Sequence, residues 1–471
     1  MPSPLWRRSA ADLARTIRSG EVSSREVVEA HLARIAAVNP IVNAITEVRA
    51  DEALAAADAA DAAVARGAEL GPLHGVPVTV KVNIDVAGSA TTAGMPVFAE
   101  DRPAADAPVV ARLRAAGAIP FARTNMPDLG LRWHTASSLH GTTRNPWNPG
   151  RTPGGSSGGE AAALATGMSP LGMGGDIGGS VRWPSQCCGT VALRPTQGRV
   201  PHYDSTVPIE MPIAYRLLLT DGPMARTVGD VALAFKAIAG ADPRDPWSVT
   251  SAAAADGAGP LHIAVTTDPG GLGCDPTIAA GVTRAAEILA AAGCRVEAAP
   301  PPAVAEAHEL WGALLAAETR TMIMPLARQL LAPDALTVIE HLLAAFPELD
   351  LAGYTEALAR RTRIARDWSI FLDRFDVVLG PVACAPPFAP GADLAADAMA
   401  AILRSLRLVT TCNLLGLPAA VVPVGVAAGM PQAVQLIATR HGDERALAAA
   451  ALVERATPPL LPIDPRAAVA G

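Results

Sequence analysis

The 471-residue chain is poor in cysteine, in aromatics and in unbalanced charge, and each shortage closes off a class of function. Its six cysteines, Cys187, Cys188, Cys274, Cys294, Cys384 and Cys412, never fall into the paired C-x-x-C spacing of a zinc site or a redox motif. They read as reduced, mostly buried thiols. The nine histidines are dispersed and no H-E-x-x-H occurs, so neither a metal nor another cofactor is expected. Net charge is −7, from 38 Lys+Arg against 45 Asp+Glu, and no long basic block marks a nucleic-acid footprint. Long unbroken apolar runs are missing too. The most hydrophobic stretch, residues 408–438, is interrupted by Pro418, Pro423, Gly425 and Pro431 and reads as buried strands and turns. The opening MPSPLWRRSAADLART carries Arg7 and Arg8, yet leads into an amphipathic helix where a signal peptide would turn apolar. A cytoplasmic protein with no membrane or nucleic-acid partner is expected.

Half of the residues are hydrophobic and 18% are charged, which suffices for a large core. SAADLARTIRSG and SSREVVEAHLARIAAVNP repeat apolar residues every three or four positions, with Ser9 and Ser24 as N-caps and Gly20 as a stop. With an alanine-rich segment near 51–66, they predict a helical N-terminal part over about 9–66. GVPVTVKVNIDVAG is a β-branched run bracketed by glycines, a buried strand with Lys81 at its end. Helix–strand pairs follow at APVVARLRAAGA–IPFART and GVTRAAEILAAAGCRVEA, with a further strand at HIAVTT, so the pattern predicts an α/β fold. Residues 300–375 lack strand signals and predict a helical layer. No linker divides the chain, and a single domain over 1–471 is expected.

Residues 151–189, RTPGGSSGGEAAALATGMSPLGMGGDIGGSVRWPSQCCG, hold two serines cradled by glycine. A phosphate loop needs Gly-Lys-Ser/Thr, which is absent. GGSSGG contains G-x-S-x-G in two registers, centred on Ser156 and Ser157, so a nucleophile elbow with His441 as base is one reading. Against it, the preceding NPWNPGRTP is a proline-broken loop where an elbow needs a strand. Glycines that merely make tight turns are another.

The chain resembles the amidase signature family over nearly its whole length. The resemblance is carried by the glycine-rich stretch through CCGTVALRPTQGRV, by GTTRNPWNP before it, by HGVPVTVKVNIDVAG upstream, and by FDVVLGPV, NLLGLPAAVVPVG and GMPQAVQLI downstream. It implies the family fold, a central mixed β-sheet flanked by helices on both faces. It implies a triad in which Ser180 attacks, Ser156 relays the proton and Lys81 is the ultimate base. It also implies a cis peptide bond at Gly155–Ser156, where glycine lessens the steric conflict, support from Ser157, and a brace made by Asp176 and Arg182. An ordinary solvated ion pair is the alternative reading of that last couple. The backbone N–H groups of Ile177, Gly178, Gly179 and Ser180, close to a helix start, form the expected oxyanion hole. Lysine acts as a base near neutral pH only when desolvated, and Val78, Val80 and Val82 are expected to provide apolar surroundings. Two positions depart from the family pattern: Val82 where an acidic residue is frequent, and Gly175 where threonine is. Neither is one of the three catalytic groups, so altered support is expected without loss of activity.

The implied activity is cofactor-free hydrolysis of amide C–N bonds through an acyl-enzyme. By carry-over, Gly130, Leu131 and Trp133 of DLGLRWH line the acyl side, where no cluster of arginines or acids stands, which favours neutral, apolar or aryl substrates. Trp133 reads equally as core. Three other functions stay open: carbamate (urethane) cleavage by the same triad, a glutamine-hydrolysing subunit of a tRNA-dependent amidotransferase, and a catalytically silent small-molecule binding protein. The second lacks support from a tyrosine-rich stretch, since only three tyrosines occur. The expected partner is a small-molecule amide or carbamate, and a homodimer is left open.

Overall fold

The computed structural model describes residues 3–205, 210–251 and 259–466. Its strands, in chain order, are β1 (Ile45–Val48), β2 (Pro77–Lys81), β3 (Ile119–Thr124), β4 (Ala136–Ser137), β5 (Gly141–Thr142), β6 (Leu171–Asp176), β7 (Val191–Arg194), β8 (Thr220–Ala225), β9 (His262–Val265), β10 (Arg295–Ala298), β11 (Val377–Pro381), β12 (Ala419–Ala427) and β13 (Met430–Ala438). All but the small β4–β5 ribbon join one sheet in the order β1-β3-β2-β6-β8-β7-β12-β13-β11-β9-β10. β2 pairs in parallel with β3 and β6, and β9 with β10 and β11, while the other neighbours run antiparallel. The sheet is therefore mixed.

Strand alternation feeds two cores. Val377 and Leu379 of β11 join one cluster and Val378 the other; Ala420 and Val422 of β12 separate in the same way from Ala419 and Val421. The helices Pro108–Ala115, Val228–Ile238, Pro276–Ala291 and Asp443–Ala456 cover the first face. Gly158–Ala165, Arg182–Cys188, Val304–Glu318, Leu351–Arg374 and Arg407–Leu415 cover the second. The stretch expected as a helical layer consists of Val304–Glu318, a π-helical turn Thr319–Ile323, Met324–Leu330, Pro333–Ala344 and Leu351–Arg374.

Three local expectations need correction. Ser9 caps its helix by accepting from the Asp12 N–H, but the second helix, Ser24–Val42, is capped by Ser23 and not Ser24. The reason is Glu26: it stands three residues after Ser23, so side chain and backbone bond reciprocally in a capping box. Ser24 instead donates its hydroxyl to the Gly75 carbonyl at 2.8 Å. The N-terminal part also contains β1, which pairs with β3 between its helices. In the apolar stretch 408–438, the first eight residues belong to the buried helix Arg407–Leu415, with β12 and β13 after it. No single described helix is long and apolar enough to cross a membrane.

Candidate active site

Lys81 ends β2, 2% exposed. Alternation puts it on the face of Thr79, while Val78 and Val80 point to the opposite core, so these valines do not surround the amine. Its burial comes from tertiary packing on the other side. Lys81 Nζ donates to Ser156 Oγ at 2.7 Å, and no carboxylate lies within 4.0 Å of it among the described residues. Burial pushes the amine from 10.5 down to about 7, against the pull of Asp221, Asp176 and Glu160.

The Gly155–Ser156 peptide is cis. Residue 155 has to be glycine, because a Cβ there would stand 2.4 Å from the Arg132 carbonyl oxygen and 2.8 Å from the His134 nitrogen. Gly130 faces Ser156 from across the site, where a Cβ would come within 3.3 Å of Ser156 Oγ. Ser157 joins the two glycine loops: its N–H donates to the Ser180 carbonyl at 3.1 Å. Its own Oγ is buried without a partner among the described residues. Ser180 follows β6 and borders a cavity that also touches Gly130, Leu131, Trp133 and Ile177.

Asp176 and Arg182 are fully buried, so the solvated-pair reading fails. Arg182 grips both carboxylate oxygens at 3.0 Å each, and Asn413 Nδ2 donates to Asp176 Oδ1 at 2.9 Å. Burial would raise this carboxyl, but the charge and hydrogen bonds of Arg182 outweigh it and hold the group well below the usual carboxylate range. Arg182 extends the network to Gln435 Oε1 at 3.1 Å and Asn413 Oδ1 at 2.7 Å. One expected oxyanion donor is committed here: at Gly179, with φ of +97°, the N–H donates to Asp176 Oδ1 at 2.8 Å. The N–H groups of Ile177, Gly178 and Ser180 have no acceptor among the described residues.

Several residues beside the site carried no assignable role in the sequence. Glu160 is fully buried, takes hydroxyl donors from Thr79 and Thr124, and is pushed up to about 8 by burial. Glu160, Asn413 and Gln435 all lie inside family-like strings, but only folding shows that they point inward. Gly175 also has a local reason: a Cβ there would be 3.1 Å from Asp221 Oδ1. Asp221 receives His202 Nδ1 at 2.9 Å, and its other oxygen is buried without a partner.

The cavity at Ser180 measures about 10 Å³, room for one water at most, and Trp311, Leu315 and Leu342 of the helical layer close it. Arg132 also borders it, a single arginine and no cluster, and is neutralised by Asp393 through contacts of 2.6 and 2.8 Å. Trp133 Nε1 donates to the Gly178 carbonyl and Trp311 Nε1 to that of Ile177, both at 2.9 Å. Larger cavities, about 460 Å³ beside Phe346 and about 380 Å³ beside Arg226, are lined by none of Lys81, Ser156 and Ser180. His441 sits at the turn after β13, its N–H bonded to Thr196, and makes no hydrogen bond to Ser156 or Ser157. No strand leads into GGSSGG. Among the described residues no three His, Cys, Asp or Glu side chains gather to hold a metal.

A family profile described as Amidase matches residues 26–447. The chain is 40% identical over 454 residues to the indoleacetamide hydrolase of Bradyrhizobium diazoefficiens, covering 96% of this chain and 87% of that protein. It is 35% identical to one subunit of the glutamyl-tRNA(Gln) amidotransferase of Salinispora arenicola, covering 96% of this chain and 98% of that one. Among solved structures, 6-aminohexanoate cyclic dimer hydrolase in complex with substrate is similar with a TM-score of 0.84 at 28% identity, over 97% of this chain and 98% of that one. A bacterial aryl acylamidase of the amidase signature family matches with a TM-score of 0.84, 28% identity and 97% of each chain.

Proposed function

From the premise that this chain belongs to the amidase family and is an amidohydrolase acting on amides, we propose that it cleaves neutral arylalkyl amides through an acyl-enzyme on Ser180. The observation that carries this reading is a buried lysine, free of any carboxylate partner at ion-pair distance among the described residues, with its amine 2.7 Å from Ser156. Neutral Lys81 accepts a proton by way of Ser156 as Ser180 Oγ bonds to the amide carbon. Backbone N–H groups of Ile177 and Gly178 receive the oxyanion. Collapse breaks the C–N bond, and the proton returns through Ser156 to the leaving nitrogen. Water then repeats the sequence on the ester.

The walls of the cavity support this substrate class. Leu131, Trp133, Trp311 and Leu342 are apolar, and the Arg132 charge is cancelled by Asp393. Similarity to an indoleacetamide hydrolase and an aryl acylamidase supports an aromatic group near the carbonyl. The similarity to a component of a glutamyl-tRNA(Gln) amidotransferase favours a second reading, glutamine hydrolysis in a complex.

The test is turnover of arylacetamides, anilides, aryl carbamates and glutamine by the chain alone and with candidate partner proteins. Ser180→Ala is expected to abolish turnover and fluorophosphonate labelling, and Ser156→Ala to leave a slow residual rate. Label on Ser156 or Ser157, or activity on glutamine only with a partner, would overturn the assignment.

A further inference from the structure

The loop before Ser180 is held by two indoles from distant parts of the chain. Resting on the reading of Ser180 as nucleophile, we infer that Trp311 and Trp133 are positioning residues which aim the backbone donors of the oxyanion site. In a trans peptide the C=O of one residue and the N–H of the next point in opposite directions. Trp311 Nε1 binds the Ile177 carbonyl at 2.9 Å, so the Gly178 N–H is turned away from that indole, and no acceptor takes it among the described residues. The next peptide is held at both ends: Trp133 Nε1 binds the Gly178 carbonyl at 2.9 Å, and Asp176 Oδ1 binds the Gly179 N–H at 2.8 Å.

Two consecutive glycines would otherwise let these peptide planes rotate. Both glycines are imposed by close approach, since a Cβ on Gly178 would stand 2.6 Å from the Trp311 ring and one on Gly179 would stand 2.4 Å from Val409. An indole suits the task because its N–H only donates and cannot flip into an acceptor. Neither ring is free to swing. Trp311 meets Trp133 edge-on at 6.2 Å, stacks on His308 at 6.1 Å and meets Phe346 at 6.1 Å. Trp183 Nε1 in turn holds the Trp133 carbonyl at 3.0 Å. The helix Val304–Glu318 thereby sets a donor beside the nucleophile from 134 residues further along the chain.

Trp311→Phe keeps the aromatic wall and removes the N–H. The inference expects kcat for an arylacetamide to fall on the order of tenfold with KM nearly unchanged. Affinity for a trifluoromethyl ketone analogue, which forms a tetrahedral adduct, is expected to fall by a similar factor. Trp133→Phe is expected to lose less, because Asp176 still anchors the Gly178–Gly179 peptide. Parental kcat and ketone affinity in Trp311→Phe, a loss confined to KM, or a larger loss in Trp133→Phe would each overturn it. Thermal melts of both variants separate misfolding from misalignment, and should Trp311→Phe fail to fold, parental ketone affinity in a correctly folded Trp311→Leu, which also lacks the N–H, decides against the inference. Ser180→Ala is the control for the underlying reading: parental turnover there sinks the nucleophile, whereas parental turnover in Trp311→Phe sinks only this assignment.

Discussion

The cations of this chain are almost all arginine; Lys81 and Lys236 are its lysines. Arginine stays charged in proteins, whereas a buried lysine can release its proton, so at the position proposed for the base the two are not interchangeable. Lys81→Arg is expected to be inactive on amides with the fold intact, checked by turnover and by melting. The acid limb of kcat/KM should fall near pH 7, where Lys81 becomes protonated. Asp221 is the strongest of the charges that favour the protonated amine. Asp221→Asn is therefore expected to move the limb to lower pH, and a limb that stays put or rises contradicts the coupling. The same lysine weakens the fold. Holding it near 7 against 10.5 in the unfolded chain corresponds to roughly 5 kcal/mol of destabilisation when it is charged. Below about pH 7 both states are protonated and the folded one bears the full penalty, which fades as pH rises toward 10.5. Lys81→Met should melt above the parent at about pH 6, with the gap narrowing by about pH 10.

At the scale of elements, the helix Gly158–Ala165 and strands β2, β3 and β6 are tied by Glu160, which is bonded by Thr79 and Thr124 and packed where Gly172 leaves space. A Cβ on Gly172 would lie 1.9 Å from Glu160 Oε1, so Gly172→Ala is expected to unseat the carboxyl, lower the melting temperature and reduce kcat together. An unchanged kcat would mean that this tie does not position Lys81 against Ser156. The N-terminal helices offer a cleaner contrast. Ser23→Ala removes a cap at about 1 kcal/mol. Ser24→Ala leaves the Gly75 carbonyl without its hydroxyl, at about 1–3 kcal/mol. Denaturant midpoints of both variants measure the difference.

Across the whole molecule, the site lies where one face of the sheet meets the helical layer, and its cavity is too small for an aryl amide until Leu315 or Leu342 yields. A bound ketone analogue is expected to change hydrogen exchange in Val304–Glu318 and Pro333–Ala344 and in the loop bearing Trp133. Helices Pro276–Ala291 and Asp443–Ala456, on the opposite face, should be unaffected. Changes confined to that opposite face would contradict the placement of the substrate.

The α/β alternation, the strand ending at Lys81 and the two glycine-cradled serines were legible because each is a local pattern: period two, period 3.6, and short strings of glycine around a hydroxyl. That the serines belong with that lysine was implied only by the family resemblance, and folding sets Ser156 against Lys81. Ser23 was also legible in principle, through Glu26 three residues on. Orientation was not legible. Val78 and Val80 flank Lys81 in sequence yet face the opposite core, because side chains alternate across a strand and only the sheet decides which side is which. The donor of Gly179 is committed to Asp176, and Arg182 is locked by Asn413 and Gln435, more than two hundred residues downstream. Trp311 sits in an alanine- and leucine-rich helix with no motif around it. Its indole meets the Ile177 carbonyl because both pack into the core on one face of the sheet, and such a contact exists only once distant segments are brought together.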